Sequence, residues 1–324
     1  MHGIARSRAF LESAILEIIL IVLCALLAAV APNFLTAENL LNVLRNVSMQ
    51  GIIALGMTAV IIAGEIDLSV GSMVAFSGCL TAWLTGTLTS PLPGFAAPVA
   101  LSLAMFITLL VGFTTGLLTG VLRTRYQVPS FITSLALLTA LSGAAELITN
   151  GFPLTPFPAW YNFLGGGRVL GIPFPALLFL LAFLATHVLM NYTPFGRSVY
   201  AVGGNAEAAR LSGINITMVR TMVFAATALL AAAAGILQSS EIMSGTATTA
   251  KGWELDIIAA VIIGGASFTG GTGRVWGTMV GVVFLGVIMN GMTLLNVSEY
   301  WQHVVRGALI LLAVLLNRLQ HHAA

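Results

Sequence analysis

Residues 51–80 read GIIALGMTAVIIAGEIDLSVGSMVAFSGCL, two apolar runs parted by Gly64-Glu65-Ile66-Asp67-Leu68-Ser69-Val70-Gly71-Ser72. Each run has the composition of a membrane helix, yet two carboxylates and two hydroxyls stand between them. An Asp at the centre of a spanning helix costs about 2.5–3.5 kcal/mol. Such a cluster is tolerated only where it faces a cavity, pairs with neighbours or reaches the membrane interface. Gly64 and Gly71 would let the helix break here and expose backbone groups. Asp67 is read both as a cap for the next helix, with Ser69 and Ser72, and as a lining residue of a polar path. Glu65 joins Asp67, Ser69 and Ser72 as a path candidate.

The whole chain has the same character. Of its 324 residues, 58% are hydrophobic and only 7% charged, and its mean hydropathy is +1.00. Soluble domains carry about 25% charged residues, so soluble enzymes, nucleic-acid binders and disordered scaffolds are excluded. The 13 basic and 11 acidic residues leave a net charge of +2, too little basic surface for a phosphate backbone. Nucleic acid is not a partner. Cys24 and Cys79 lie in apolar runs, and the histidines show neither HExxH nor triad spacing. No metal site, cofactor or catalytic centre is therefore expected. An aspartyl dyad of Asp67 and Asp256 is set aside, because the two approach opposite ends of their spans.

A spanning helix needs about 20 mostly apolar residues. Ten candidates are read, at roughly 15–31, 48–64, 70–90, 97–122, 130–149, 173–190, 216–238, 254–266, 275–295 and 301–316. The expectation is an all-α integral membrane protein with a cytoplasmic N-terminus (1–14), one transmembrane domain (15–316) and a cytoplasmic tail (317–324). In that orientation Arg6, Arg8, Arg123, Arg125, Arg197, Arg210, Arg220, Arg274 and Arg318 lie inside, and Arg45, Arg168 and Lys251 outside. That excess of inner basic residues satisfies the positive-inside rule. The second and eighth spans are short, end in or near glycine-rich sequence and carry acids at one end, the marks of broken or re-entrant helices. Ile61-Ile62-Ala63-Gly64 aligns with Ile262-Ile263-Gly264-Gly265, suggesting two halves of five spans each, hence inverted repeats. Gly264, Gly265, Gly270 and Gly271 read as packing or tight-turn glycines, since no strand precedes them to make a nucleotide loop. Trp160, Tyr161 and Phe163 are expected at headgroup level.

The largest inner loop, residues 191–216, contains Gly203-Gly204-Asn205-Ala206-Glu207-Ala208-Ala209-Arg210-Leu211-Ser212-Gly213. It has the parts of a short free-standing helix: Asn205 as N-cap, Glu207 in the first turn, Arg210 near the end and Gly213 as stop. Two turns of helix are not stable alone in water, so the membrane surface, neighbouring helices or a cytoplasmic partner must hold them. The chain has no GxxxxGK[ST]. If transport is driven by ATP, the hydrolysing subunit is a separate chain, and this helix is its handle.

Several strings occur together in order: Asn39-Leu40-Leu41-Asn42-Val43-Leu44-Arg45, Gly56-Met57-Thr58, residues 64–72, AVGGN and AARLSGI within 200–215, and residues 254–274. Over about residues 33–316 the chain resembles the membrane subunit of ribose-type ABC importers. The resemblance implies a multi-pass permease of the bacterial inner membrane, not itself an enzyme, normally paired with a second copy or a related permease within the lipid. It implies a periplasmic sugar-binding protein that delivers a monosaccharide and a cytoplasmic ATPase that drives alternating access. Residues 203–213 would then be the coupling helix, and Glu65, Asp67, Ser69 and Ser72 a weak polar path. Glu65 stands where that family most often has glycine, a departure that bears on the substrate rather than on the family. An amino-acid ABC permease is the nearest alternative. From another class the alternative is an ion-coupled secondary transporter, with Asp67 and Glu146 as its titratable groups.

Overall fold

The computed structural model describes residues 2–89 and 97–322. Ser90, the last residue of the third expected span, lies outside the described residues, as do Met1, Ala323 and Ala324 of the expected termini. The helices are α1 (His2–Val30), α2 (Ala37–Ile62), α3 (Val70–Thr89), α4 (Ala97–Arg125), α5 (Ser130–Thr149), α6 (Asn162–Gly166), α7 (Phe174–Tyr192), α8 (Pro194–Gly204), α9 (Ala206–Leu211), α10 (Ile216–Ile242), α11 (Trp253–Ile263), α12 (Val275–Leu294) and α13 (Glu299–His322). Among the described residues, six helices are long and apolar enough to cross a membrane: α2, α4, α5, α7, α10 and α12. The chain is an all-α membrane protein.

Two of these helices form the centre. In the most apolar stretch of α2, 83% of residues are buried, and in that of α10, 67%, against 22–28% in α4, α5 and α7. Helix α10 packs on α2, α3 and α4, while α2 also meets α7, α11 and α12. Close approach of α4 to α10 follows from Gly112, Gly116 and Gly120, four residues apart on one face. A Cβ at these positions would run into Ala232, the Phe224–Ala225 backbone and Thr221, so only hydrogen lets the two backbones meet.

The second span is not short, contrary to expectation. Helix α2 has 26 residues and begins at Ala37, where the Thr36 hydroxyl accepts a hydrogen bond from the Asn39 N–H. Two of the polar residues that hid its first half from a hydropathy reading, Asn39 and Arg45, find partners on other helices. Asn39 and Asn290 exchange amide hydrogen bonds of 3.0 and 2.8 Å between α2 and α12. Asn39→Leu alone leaves the Asn290 amide without its partner and should cost about 1–3 kcal/mol. The double change Asn39→Leu/Asn290→Leu should recover most of it, read as the melting temperature of the detergent-purified protein.

The eighth span is a true half-helix. With 11 residues, α11 rises only about 16 Å at 1.5 Å per residue, half of a hydrocarbon core. Its end repeats that of α2 atom for atom. Gly64 N–H donates to the Ile61 carbonyl (2.9 Å) and Glu65 N–H to that of Val60 (3.0 Å); Gly265 N–H donates to Ile262 (2.9 Å) and Ala266 N–H to Val261 (3.2 Å). Gly64 and Gly265 take left-handed φ of 76° and 90°, which glycine alone adopts without penalty. Of the three aromatics expected at headgroup level, Tyr161 is packed inside the protein. Its ring is fully buried and its hydroxyl donates to the Ile236 carbonyl at 2.8 Å, whereas Trp160 and Phe163 remain exposed.

Candidate functional site

Residues 63–69 join α2 to α3. Asp67 is 1% exposed, and its Oδ1 accepts from the Ser69 N–H (2.8 Å) and the Ser69 hydroxyl (2.6 Å). Ser72 donates from its hydroxyl to the Ser69 carbonyl at 2.9 Å. These three residues therefore organise the entry to α3. Gly71 lies inside that helix, not at a break, and its bare Cα accommodates the Glu254 carboxylate and the Ala250 carbonyl.

Glu65 is held by two cations. Its side chain is 2% exposed, with Arg123 of α4 and Arg220 of α10 each 2.9 Å away through Nε. Arg123 Nε donates to both carboxylate oxygens. One acid thus ties the α2–α3 turn to two further helices.

The inner-loop segment carries the predicted signals. The Asn205 side chain accepts from the Ala208 N–H at 3.0 Å, and Gly213, at φ 84°, follows the last turn. Glu207 and Arg210 pair on its exposed face. The guanidinium holds the Glu207 carboxyl below the ordinary glutamate range through a hydrogen bond and its charge. Two features went unforeseen: α8 precedes α9 as a separate helix of 11 residues, and its last turn is locked into the core. Gly203 sits where a Cβ would run into the Ile62 carbonyl and the Gly271 nitrogen. Gly271 N–H donates to that same carbonyl at 2.8 Å, Gly270 packs on the Gly64 Cα, and the Tyr200 hydroxyl donates to the Gly273 carbonyl at 3.1 Å. Glycines that stand as three separate features in the sequence meet at one joint between α2, α8 and the α11–α12 turn. Gly264 serves a different contact, backing directly onto Gly277 at the start of α12.

The opposite end of the bundle holds a cavity of about 420 Å³. Arg45 of α2 pairs with Glu241 of α10 at 2.9 Å, and Arg306 of α13 with Asp256 of α11 at 2.8 Å. Glu241, Asp256 and Arg306 line the cavity, with Asn46, Gln50, Gln238, Asn290 and Trp253, while Arg45 holds Glu241 from outside the lining. Glu241 lies 21 residues beyond Arg220 on α10, so about 30 Å separates the two charged clusters along that helix, the thickness of a hydrocarbon core. Sequence reading treated Arg45 as an outer charge and Arg306 as lying within a span, and missed the site. A signal was present: Asn42, Asn46 and Gln50 repeat every four residues, a polar stripe along one face of an otherwise largely apolar helix. No cluster of metal-ligating side chains occurs among the described residues.

Apolar helices around a solute-sized polar cavity, with a capped polar helix at the other end, define a multi-pass membrane transport protein. The chain belongs to the family described as branched-chain amino acid transport system / permease component, which matches residues 39–314. It is 44% identical to the ribose import permease protein RbsC of Bacillus subtilis (strain 168) over 92% of this chain and 90% of that one. It is 45% identical to the probable ABC transporter permease protein YphD of Escherichia coli (strain K12), over 95% and 91%. The L-arabinose ABC transporter permease protein AraH of Azospirillum brasilense is 36% identical over 93% of this chain and 86% of its own. No solved structure gives a significant match.

Proposed function

We propose that the chain is the membrane permease subunit of an ATP-driven importer of a monosaccharide, a pentose being the first cargo to test. The observation that carries this reading is similarity to ribose and arabinose permeases along nine-tenths of the chain. Those relatives favour a sugar over the amino acid of the family's description, and over an ion-coupled transporter. A partner ATPase, a periplasmic sugar-binding protein, a second permease in the same membrane and a bacterial inner-membrane location follow from the same reading.

Ten spans, in two inverted halves with both termini cytoplasmic, belong to this proposal. The matching helix ends at Gly64 and Gly265 support it, as does a second correspondence. Ser69 N–H donates to the Asp67 side chain in the first half, and Thr269 N–H to the Ser267 hydroxyl at 3.3 Å in the second. Residues 203–213 act as the coupling helix, in keeping with the exposed Glu207–Arg210 pair and the joint behind it. The path candidates Glu65, Asp67, Ser69 and Ser72 act from the α2–α3 turn, where Asp67, Ser69 and Ser72 bond to one another and Glu65 couples the turn to α4 and α10.

Reconstitution of the permease with its ATPase and binding protein in proteoliposomes tests the reading. Pentose uptake should need all three components and ATP. Arg210→Glu places two acids side by side on the docking face and should lower uptake about tenfold, as for a lost charged contact at an interface. Uptake by the permease alone on an ion gradient would overturn the proposal.

A further inference from the structure

Resting on the sugar-importer reading, we infer that the cavity between α2, α10, α11, α12 and α13 is a holding site for one neutral polyhydroxylated solute within a single permease chain. Size is the first argument. About 420 Å³ falls within the ~300–1,000 Å³ of small-molecule sites, far beyond what an ion or a proton relay requires and too small for a peptide.

Charge is the second. The wall carries Glu241, Asp256 and Arg306, and Arg45, outside the lining, neutralises Glu241, so each charge at the cavity is compensated and none is left over for a charged ligand. A zwitterion would need one unpaired cation and one unpaired anion, and here each charge already has its opposite within 3 Å. The Arg306–Asp256 pair still presents guanidinium N–H donors and carboxylate lone pairs side by side, and Glu241 adds acceptors. A sugar hydroxyl both donates and accepts, and such a mixed row suits it. Gln50 adds both functions in one planar group, and Trp253 adds an aromatic wall for the C–H face of a sugar ring. The pairs also explain how the site releases its ligand, because with the sugar gone each charge keeps its opposite beside it.

The test is protection from alkylation, which needs no turnover. In a chain carrying Cys24→Ala and Cys79→Ala, Gln50→Cys and separately Asn46→Cys are introduced and the full importer is reconstituted. A membrane-impermeant maleimide is then timed with D-ribose, L-arabinose or L-leucine present. At about nine times the Kd a pentose should slow labelling about tenfold, and leucine should not. Unchanged labelling in vesicles that import the pentose overturns the holding site while leaving the importer reading intact. Protection by leucine in place of sugar, or no labelling at either position, overturns it as well. Vesicles with no ATP-dependent pentose uptake by the native importer overturn the underlying reading instead. As a further readout, Trp253→Leu should raise the KM for uptake; an unchanged KM would count against the aromatic wall.

Discussion

Glu65→Gln should destabilise the protein by about 3 kcal/mol, the cost of leaving a buried charge without its partner. The carboxylate is 2% exposed and serves Arg123 and Arg220 together. Glutamine keeps the shape and loses the charge, so two guanidiniums then share a pocket with nothing to neutralise them. Their side chains are 25% and 17% exposed, which lets water relieve part of the repulsion and places the cost at the lower end of the range for broken buried pairs. At roughly 2–4 °C per kcal/mol, the melting temperature in detergent should fall by about 6–12 °C. Glu65→Gln/Arg220→Gln should cost less than the sum of the single changes, a coupling read from the full double-mutant cycle. Additive losses would mean that the acid acts alone.

Gly203→Ala should be the most damaging single methyl in the chain. The added carbon meets backbone on two sides, the Ile62 carbonyl and the Gly271 nitrogen, and neither can turn away as a side chain would. Accommodation requires breaking the 2.8 Å hydrogen bond between those two groups or lifting α8 off the end of α2. Overpacking costs about 1–3 kcal/mol even among movable side chains, and a severed buried backbone hydrogen bond adds about 1–3 more. Expected results are a sharp loss of folded protein and, in what remains, ATP hydrolysis uncoupled from uptake. Gly204→Ala is the control: its nearest neighbour is the Gly271 Cα at 4.0 Å, and it should retain native yield and transport.

The membrane class, the family and the ends of helices were legible in the chain because they rest on local chemistry. Hydropathy is a sum over neighbours in sequence, and a cap such as Asn205 bonding to Ala208 involves residues three apart. The same holds for Asp67 and Ser69. The shortness of α11 was foreseen for a similar reason, since acids at its start and glycines at its end bound the apolar run within a few residues in the sequence. What hydropathy concealed was the first half of α2, where Asn39, Asn42, Arg45 and Asn46 lower the local average although the tertiary structure supplies Asn39 and Arg45 with partners on other helices.

Pairing lay beyond the sequence altogether. Glu65 finds its cations 58 and 155 residues away, Arg45 its acid 196 residues on, and Asp256 its arginine 50 residues on. A charge in a span announces that it needs a partner, but many opposite charges are available in the chain, and only packing of α2 against α10 and of α11 against α13 selects one. The sequence determined that this protein lies in a membrane, that it resembles a permease and where its helices stop. The tertiary structure decided which charges neutralise one another, that four distant glycines share one joint, and that a cavity opens between two ion pairs. Those outcomes depend on distances of a few ångströms between segments remote in the chain, and a one-dimensional pattern does not encode them.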